Sequence, residues 1–449
     1  MTWSNTMRWG GAALLLTATA LLAYATPRTE TGQLLGLLGL ATLGYGLLLR
    51  GQVSLRAGLV LAVVLRLLWL PARPALSDDF HRFRWDGVLV AAGQSPFQHR
   101  PDEFQPGGGK VVAPPSLTRQ LYQQLNSPHY YSVYPPVCQA VFGLGAALYP
   151  ASETGFLLVL RAVLCLAELG TAVLLLRLLR HWQWPPERAL WYLLHPMVVV
   201  EMVGNLHFEA VLIAGVLLAL WLLVTRRLVG AATALGVAVA TKLLPLLVLP
   251  LLLRRLGWVR ALLVGLSLLL AVVALFLPFA SLELAQNIGR SLDLYFHSFE
   301  FNASFYYLLR QLGYWLTGYN QIARIGTALA MLAGVGTLVF AWAERRPTLS
   351  TLPHATLLVL TGYYLLATTV HPWYLAPLVA LSCFTGWRYP AVWAALAALS
   401  YATYRTPAYH EDLRLTALEY AGVAVAMWLD YRNHRPAAPR ATLPIDPLG

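Results

Sequence analysis

The sequence predicts an all-α protein, a polytopic transmembrane helical bundle of about 12–14 spans with amphipathic juxtamembrane helices in the first long outer loop. Composition is the first reason. Of 449 residues, 58% are hydrophobic and only 12% are charged, about half the roughly 25% of a soluble domain. The second is that apolar runs approaching a bilayer crossing recur along the whole chain, bounded by arginines. The third is where the charge lies. The formal net charge is +12, nearly all from Arg in short connections between apolar runs. That is the positive-inside pattern, and it leaves no basic face for a duplex, so nucleic acid is excluded as a partner. The alternating pattern of a membrane barrel is absent. Cys138, Cys165 and Cys383 form no CxxC pair and no disulfide framework.

The spans are expected near 9–25, 32–50, 57–71, 156–178, 188–203, 208–225, 228–241, 243–254, 259–278, 321–342, 354–370, 373–387, 389–404 and 415–431. The first ends in Ala23-Tyr24-Ala25, which imitates a signal-peptide cleavage site, but the later spans make it a retained helix. Several are shorter than the ~20 residues of a full crossing. With the amino terminus inside, nearly every basic cluster falls on the cytoplasmic side, from Arg50–Arg56 to Arg432–Arg435. Merging 228–254 into one helix, or making 136–149 a span, would reverse later clusters. The second segment is therefore expected to lie along the outer surface. Outer loops at about 72–155, 279–320 and 405–414 follow. Loops that long are functional or disordered, and the first is too aromatic for disorder. The tail 432–449 is Pro- and Ala-rich and expected to be loose.

The polar residues gather at the outer ends of these spans. In Ser77-Asp78-Asp79-Phe80-His81-Arg82-Phe83-Arg84-Trp85-Asp86, Ser77 or Asp78 can cap a helix, and Arg82 and Asp86 form an i,i+4 pair. Adjacent carboxylates at an interface raise each other's pKa, which suits one to general-base work; a capping Asp with a solvated neighbour fits the same spacing. Tyr134-Pro135-Pro136 signals a helix start. Glu201, His207 and Glu209 occupy an outward turn that could face the same cavity as Asp78, or could be a solvated hairpin. Lys242 points outward against the charge rule, as an anion binder or a snorkelling side chain. His297, Glu300, Asn302 and Arg310 alternate with aromatics in the second long outer loop, a pattern that suits sugar binding and membrane-surface packing equally. His371-Pro372-Trp373-Tyr374 reads as part of an interfacial aromatic belt. No Walker motif, GxGxxG, HExxH or GxSxG stands in a suitable context, so nucleotide-driven chemistry and the common hydrolases lose support.

The segments SDDFHRFRWDGVLVAAGQSPF, YPPVCQAVFGLGAALYP, HPMVVVEMVGNLHFEAVLI, ATKLLPLLVLPLLLRR, FEFNASFYYLLR and HPWYLAPL, in this order, resemble the GT-C superfamily of integral membrane glycosyltransferases. Within it they resemble the bacterial polyprenyl-phosphate-mannose-dependent mannosyltransferases. The resemblance implies two additional spans in 1–56, a transmembrane catalytic domain in 57–431, and inverting transfer of a hexose, most readily mannose, to an acceptor hydroxyl. The implied donor is a polyprenyl-phosphate-linked sugar, the acceptor a lipid or glycan, and the place the outer face of the inner (plasma) membrane. Neither cofactor nor metal is implied. Asp78 or Asp79 takes the base position. Lys242 falls where relatives place a basic residue able to meet the donor phosphate, and Arg310 is a further candidate for that contact. His207, Glu209, Tyr134, His297, Asn302, His371 and Trp373 are candidates for substrate binding. A transporter or lipid-linked sugar flippase is the competing class, and a lipid-diphosphate-dependent polymerase or ligase a further one. Midplane charges would favour transport, whereas here they gather at the outer surface.

Overall fold

The computed structural model describes residues 3–104, 111–297, 299–406 and 408–433. Among the described residues all regular structure is helical, apart from one isolated bridge pairing Phe301 with Thr369. Five helices among the described residues are long and apolar enough to cross a membrane: Ser4–Tyr24, Thr31–Arg50, Glu153–His181, Trp258–Phe279 and Ile322–Ala343. A sixth crossing is available if Pro196–Gly204 and Glu209–Val224, bent by 109°, act together. Of the other expected spans, 415–431 forms the continuous 21-residue helix Leu413–Asn433, and the rest are short or interrupted helices, several of them broken at proline. At 188–203 the helix stops at Leu193 and restarts at Pro196, whose missing N–H and fixed φ suit a first turn and not an interior. At 243–254, Pro245 and Pro250 split the run into a tight turn of helix, Leu244–Val248, and the helix Leu249–Leu256. Broken backbone at membrane depth is tolerated where protein surrounds it. The flanking Pro196–Val200 run is buried throughout.

The first two helices pack so closely that a Cβ on Gly11 would come within 2.7 Å of the Gly44 carbonyl, the close approach that small residues permit. The second then docks on the bundle. Tyr45 donates to the Trp191 carbonyl at 2.9 Å, and its ring meets His195 edge-on at 5.2 Å. Buried polar groups tie the centre together. Arg66 donates to Glu168 at 2.5 Å and to the Leu193 carbonyl at 2.8 Å, while Tyr192 donates to Glu168 at 2.6 Å. Arg161 reaches the carbonyls of Leu70, Val203 and Gly204, which closes the end of the broken helix.

The charge-derived parity divides the connections into two sets, and each of the following contacts joins connections of one set. In one set, Ser4 and Arg8 bond the Gly51 carbonyl, Arg255 pairs with Glu344 at 2.6 Å, and Asp430 accepts from the amides of Arg388 and Tyr389. In the other, Arg28 pairs with Asp78, Asn287 donates to the Phe97 carbonyl, and the Val137 amide donates to the Ala240 carbonyl. The Thr241-Lys242 turn therefore lies on the side of the aspartates, between the helices Leu228–Val239 and Leu249–Leu256.

The first long loop departs from the expected surface-lying form. Its helix Asp79–Ala91 is buried on nearly all sides and crosses the helix Pro136–Leu148, where a Cβ on Gly87 would sit 2.4 Å from the Phe142 carbonyl oxygen. The i,i+4 pair of Arg82 and Asp86 is not solvated, at 3% and 0% side-chain exposure. Asp86 accepts from Arg82, Ser132 and Gln139, and Arg82 donates to the carbonyls of Ser127 and Tyr130. The loop has turned back and covered the face meant for water. Its helix Pro136–Leu148 has 13 residues, roughly 20 Å at 1.5 Å per residue and short of a ~30 Å core.

Candidate active site

Asp78 and Asp79 are placed by the residues just before them. The Leu76 amide donates to the Asn205 side chain at 3.0 Å, and Tyr404 donates to the Leu76 carbonyl at 2.6 Å. The chain enters the helix Asp79–Ala91 clamped from two sides. Asp78 stands at the N-cap position, yet its carboxylate makes no capping bond; the Ser77 hydroxyl instead accepts from the Asp79 amide at 3.3 Å. The Asp78 carboxylate turns to Arg28, at 2.6 Å. The same guanidinium donates to the Tyr409 hydroxyl at 3.2 Å and lies 5.2 Å above the Tyr404 ring. Asp79 has a neutral donor, Asn126, at 2.8 Å. Both acids are half-buried. Tyr374 and Tyr404 lie close enough to Asp79 to feel its charge.

A second cluster is centred on Lys242. Its ammonium is ion-paired with Glu209 and sits 3.6 Å over the Tyr374 ring, where the ring's negative face attracts a cation. Glu209 begins the helix Glu209–Val224, so its carboxylate also lies at a favourable helix terminus. Two residues earlier, His207 Nδ1 lies 3.0 Å from Glu201. Glu201 also accepts from Asn205 and Tyr401. His207 stacks flat on Trp373 at 3.8 Å. The other face of Trp373 carries His371 at 4.3 Å, and His371 stacks in turn on Phe301 at 4.8 Å. Four rings from three separated segments thus make one continuous wall. Burial pushes the His371 imidazole down to about 3, with Lys242 and His207 adding to the effect. It is a neutral ring at physiological pH.

The third cluster comes from the second long outer loop. Arg310 pairs with Glu300 and lies 4.3 Å over the Tyr307 ring. Glu300 also accepts from Tyr306 and Asn320. Tyr307 donates to Glu411, which takes the Asn302 amide at 2.5 Å as well. Burial raises the Glu411 carboxyl above the usual carboxylate range. Asn302 is fully buried in a left-handed conformation that Asn tolerates, and its side chain bonds Glu419 and the Val370 carbonyl. A cavity of about 530 Å³ opens between this cluster, the ring wall, and Tyr404 and Tyr409. Among the described residues, no group of three or more His, Cys, Asp or Glu side chains is arranged to hold a metal ion.

Of the candidates named from sequence, Asp78, Asp79, Lys242, Glu209, His207, His371 and Trp373 converge. Arg310 is held in the Glu300 cluster on the far side of the ring wall, not beside Lys242. Asn302 anchors the loop. Tyr134 packs edge-on against Phe83 at 4.8 Å, under the aspartate helix. The side chain of His297 lies outside the described residues. Sequence reasoning missed Arg28, Asn126, Tyr404 and Glu411. Arg28 did carry a signal, since it is a cation in an outer connection, against the same charge rule that singled out Lys242.

The fold and this constellation define a multi-pass membrane protein with paired carboxylates, a separate cation and an aromatic-walled cavity at one end of the bundle. A family model described as alpha-(1->6)-mannopyranosyltransferase, N-terminal domain, matches residues 3–282, and the chain belongs to that family, MptA_B. Family membership supports mannosyl transfer as its activity, with a sugar donor and an acceptor as its substrates. The match begins within the first helix, so both amino-terminal helices lie inside it. No curated protein matches the chain.

Proposed function

We propose that the protein transfers mannose, with inversion, from a polyprenyl-phosphate donor to an acceptor hydroxyl at the outer face of the inner membrane. The observation that carries the mechanism is the unequal partnership of the two acids. Asp78 is occupied by an ion pair with the Arg28 guanidinium. Among the described residues, Asp79 accepts one side-chain bond, from the neutral amide of Asn126, and meets no cation. We therefore assign Asp79 as the base and Asp78 as the residue that holds Arg28 and the loop in place. Asp79 takes the acceptor's O–H proton. The acceptor oxygen forms its bond to C1 from the face opposite the phosphate, and the C1–O bond to the phosphate breaks. Lys242 stabilises the charge that grows on the leaving polyprenyl phosphate, a point charge held in a partly desolvated site. Glu209 and Tyr374 keep the ammonium in position until the donor arrives. The outer-face assignment is supported by the arginine clusters, which lie in the connections away from the aspartates.

The test is release of polyprenyl phosphate by the purified protein given polyprenyl-phosphate mannose. Asp79→Asn should lower kcat by about 10²–10⁴, the contribution of a positioned base, while Asp78→Asn retains measurable turnover. Equal, near wild-type rates in both variants would remove the mechanism. Transport without chemistry would leave the donor intact in every arm.

A further inference from the structure

We propose that Arg73 and Arg84, bridged by Glu153, form a site for the headgroup of an anionic phospholipid, in the leaflet that the aspartates face. Nothing in this site depends on the transferase chemistry. Charge is the first ground. Nearby cations have a carboxylate each, Arg82 in Asp86 and Arg28 in Asp78. Arg73 and Arg84 share one, Glu153, at 3.3 and 3.6 Å, so a positive charge is left over. Neither guanidinium makes a hydrogen bond to the described residues beyond this pairing. A phosphodiester offers the paired oxygens that a guanidinium fork matches. His81 adds a third donor. It stands three positions before Arg84 on the helix Asp79–Ala91, hence on the same face, and lies close enough to Glu153, Arg73 and Arg84 to feel their charges. Its Nδ1 is buried without a hydrogen-bond partner among the described residues.

Place is the second ground. Arg73 lies just beyond the helix Leu55–Leu68, and Glu153 opens the helix Glu153–His181. Leading up to Arg73, Val60, Val63, Val64 and Leu67 form one exposed apolar stripe, at the i, i+3, i+4, i+7 spacing of a single helix face. Two exposed tyrosines mark the depth. Tyr24 donates to the Leu68 carbonyl at the end of that helix, and the Tyr149 ring covers Gly155 in the first turn that Glu153 begins. Tyrosines concentrate where bilayer meets water. The guanidiniums therefore sit at headgroup height, with a lipid-facing stripe beneath them for an acyl chain. The Arg73 side chain is 60% exposed and can meet a headgroup without displacing protein. A net-neutral headgroup would bring its own ammonium to a site already cationic, whereas an anionic one cancels the surplus charge.

The bland alternative is a pair of interfacial arginines that Glu153 and water satisfy. Full-length protein in detergent is titrated with phosphatidylglycerol, phosphatidylcholine and polyprenyl phosphate, and bound lipid is read by native mass spectrometry. Phosphatidylglycerol is expected to bind about tenfold or more tightly than phosphatidylcholine, as two basic residues at a headgroup contribute. Combining Arg73→Gln with Arg84→Gln should erase that preference. Glu153→Gln removes the competing carboxylate and should bind phosphatidylglycerol at least as tightly as the wild type, which a misfolded variant would not. No preference in the wild type, a preference that survives the double substitution, or weaker binding in Glu153→Gln overturns the assignment. Polyprenyl phosphate that displaces phosphatidylglycerol with the same arginine dependence would overturn it too, by giving the site to a prenyl phosphate.

Discussion

His371 is stacked between Trp373 and Phe301, and burial holds its imidazole far below its ordinary 6.5, at about 3. In that interval the unfolded chain binds a proton there and the folded chain does not. The group's contribution to stability is therefore constant above about pH 6.5 and is lost progressively as pH falls toward 3. The thermal midpoint of the wild type should drop across that window, and His371→Gln should reduce the slope. Identical slopes would place the proton uptake elsewhere. His207, Glu209 and Lys242 stood out in sequence as candidates because ionisable residues at the turn between two apolar runs are costly at membrane depth, whereas His371 and Trp373 read there as part of an interfacial aromatic belt. Their partners did not stand out, because contact partners lie far apart in the chain. Arg28 is 50 positions from Asp78, and Tyr404 is 328 from Leu76. Nothing local in Asp78-Asp79 distinguishes the acid that meets a guanidinium from the one that meets an amide.

Helices were legible where apolar runs were long, and misleading where polar residues had a hidden use. Phe80-His81-Arg82-Phe83-Arg84-Trp85-Asp86 reads as an amphipathic surface helix because Arg82 and Asp86 pair at i,i+4. The periodicity cannot reveal that residues 127–139 fold back and satisfy that pair. The resulting crossing depends on Gly87, where a Cβ would meet backbone rather than a flexible side chain. Gly87→Ala should force the two helices apart and destabilise by about 1–3 kcal/mol, as overpacking does. Gly170→Ala is the control, since a Cβ there meets nothing within 4 Å, and relief of glycine's backbone entropy should stabilise slightly. A lower thermal midpoint in the first and not the second is the expected result. Matching midpoints would mean the crossing relaxes freely, and the aspartate helix would lose its explanation for being held in place.

The whole bundle carries the sidedness on which the chemistry depends. Charge in the connections divides them into two sides, and these contacts each join connections of one side. Arg255 meets Glu344 in the set rich in arginine, while Asp78, Ala240 and Phe97 find their partners in the other. A fold with one crossing miscounted would mix the two sets, because each extra or missing span reverses everything after it. Cysteine accessibility in intact cells tests this directly. The native thiols give little background to a membrane-impermeant maleimide, since Cys138 and Cys383 are buried and Cys165 is partly so. Gln98 and Arg346 are both exposed and belong to opposite sets. Gln98→Cys should label from outside, and Arg346→Cys only after permeabilisation. Labelling of Arg346→Cys alone would turn the aspartates toward the cytoplasm. A transferase facing that way would meet soluble sugar nucleotides, and the argument for a lipid-phosphate donor would lose its premise.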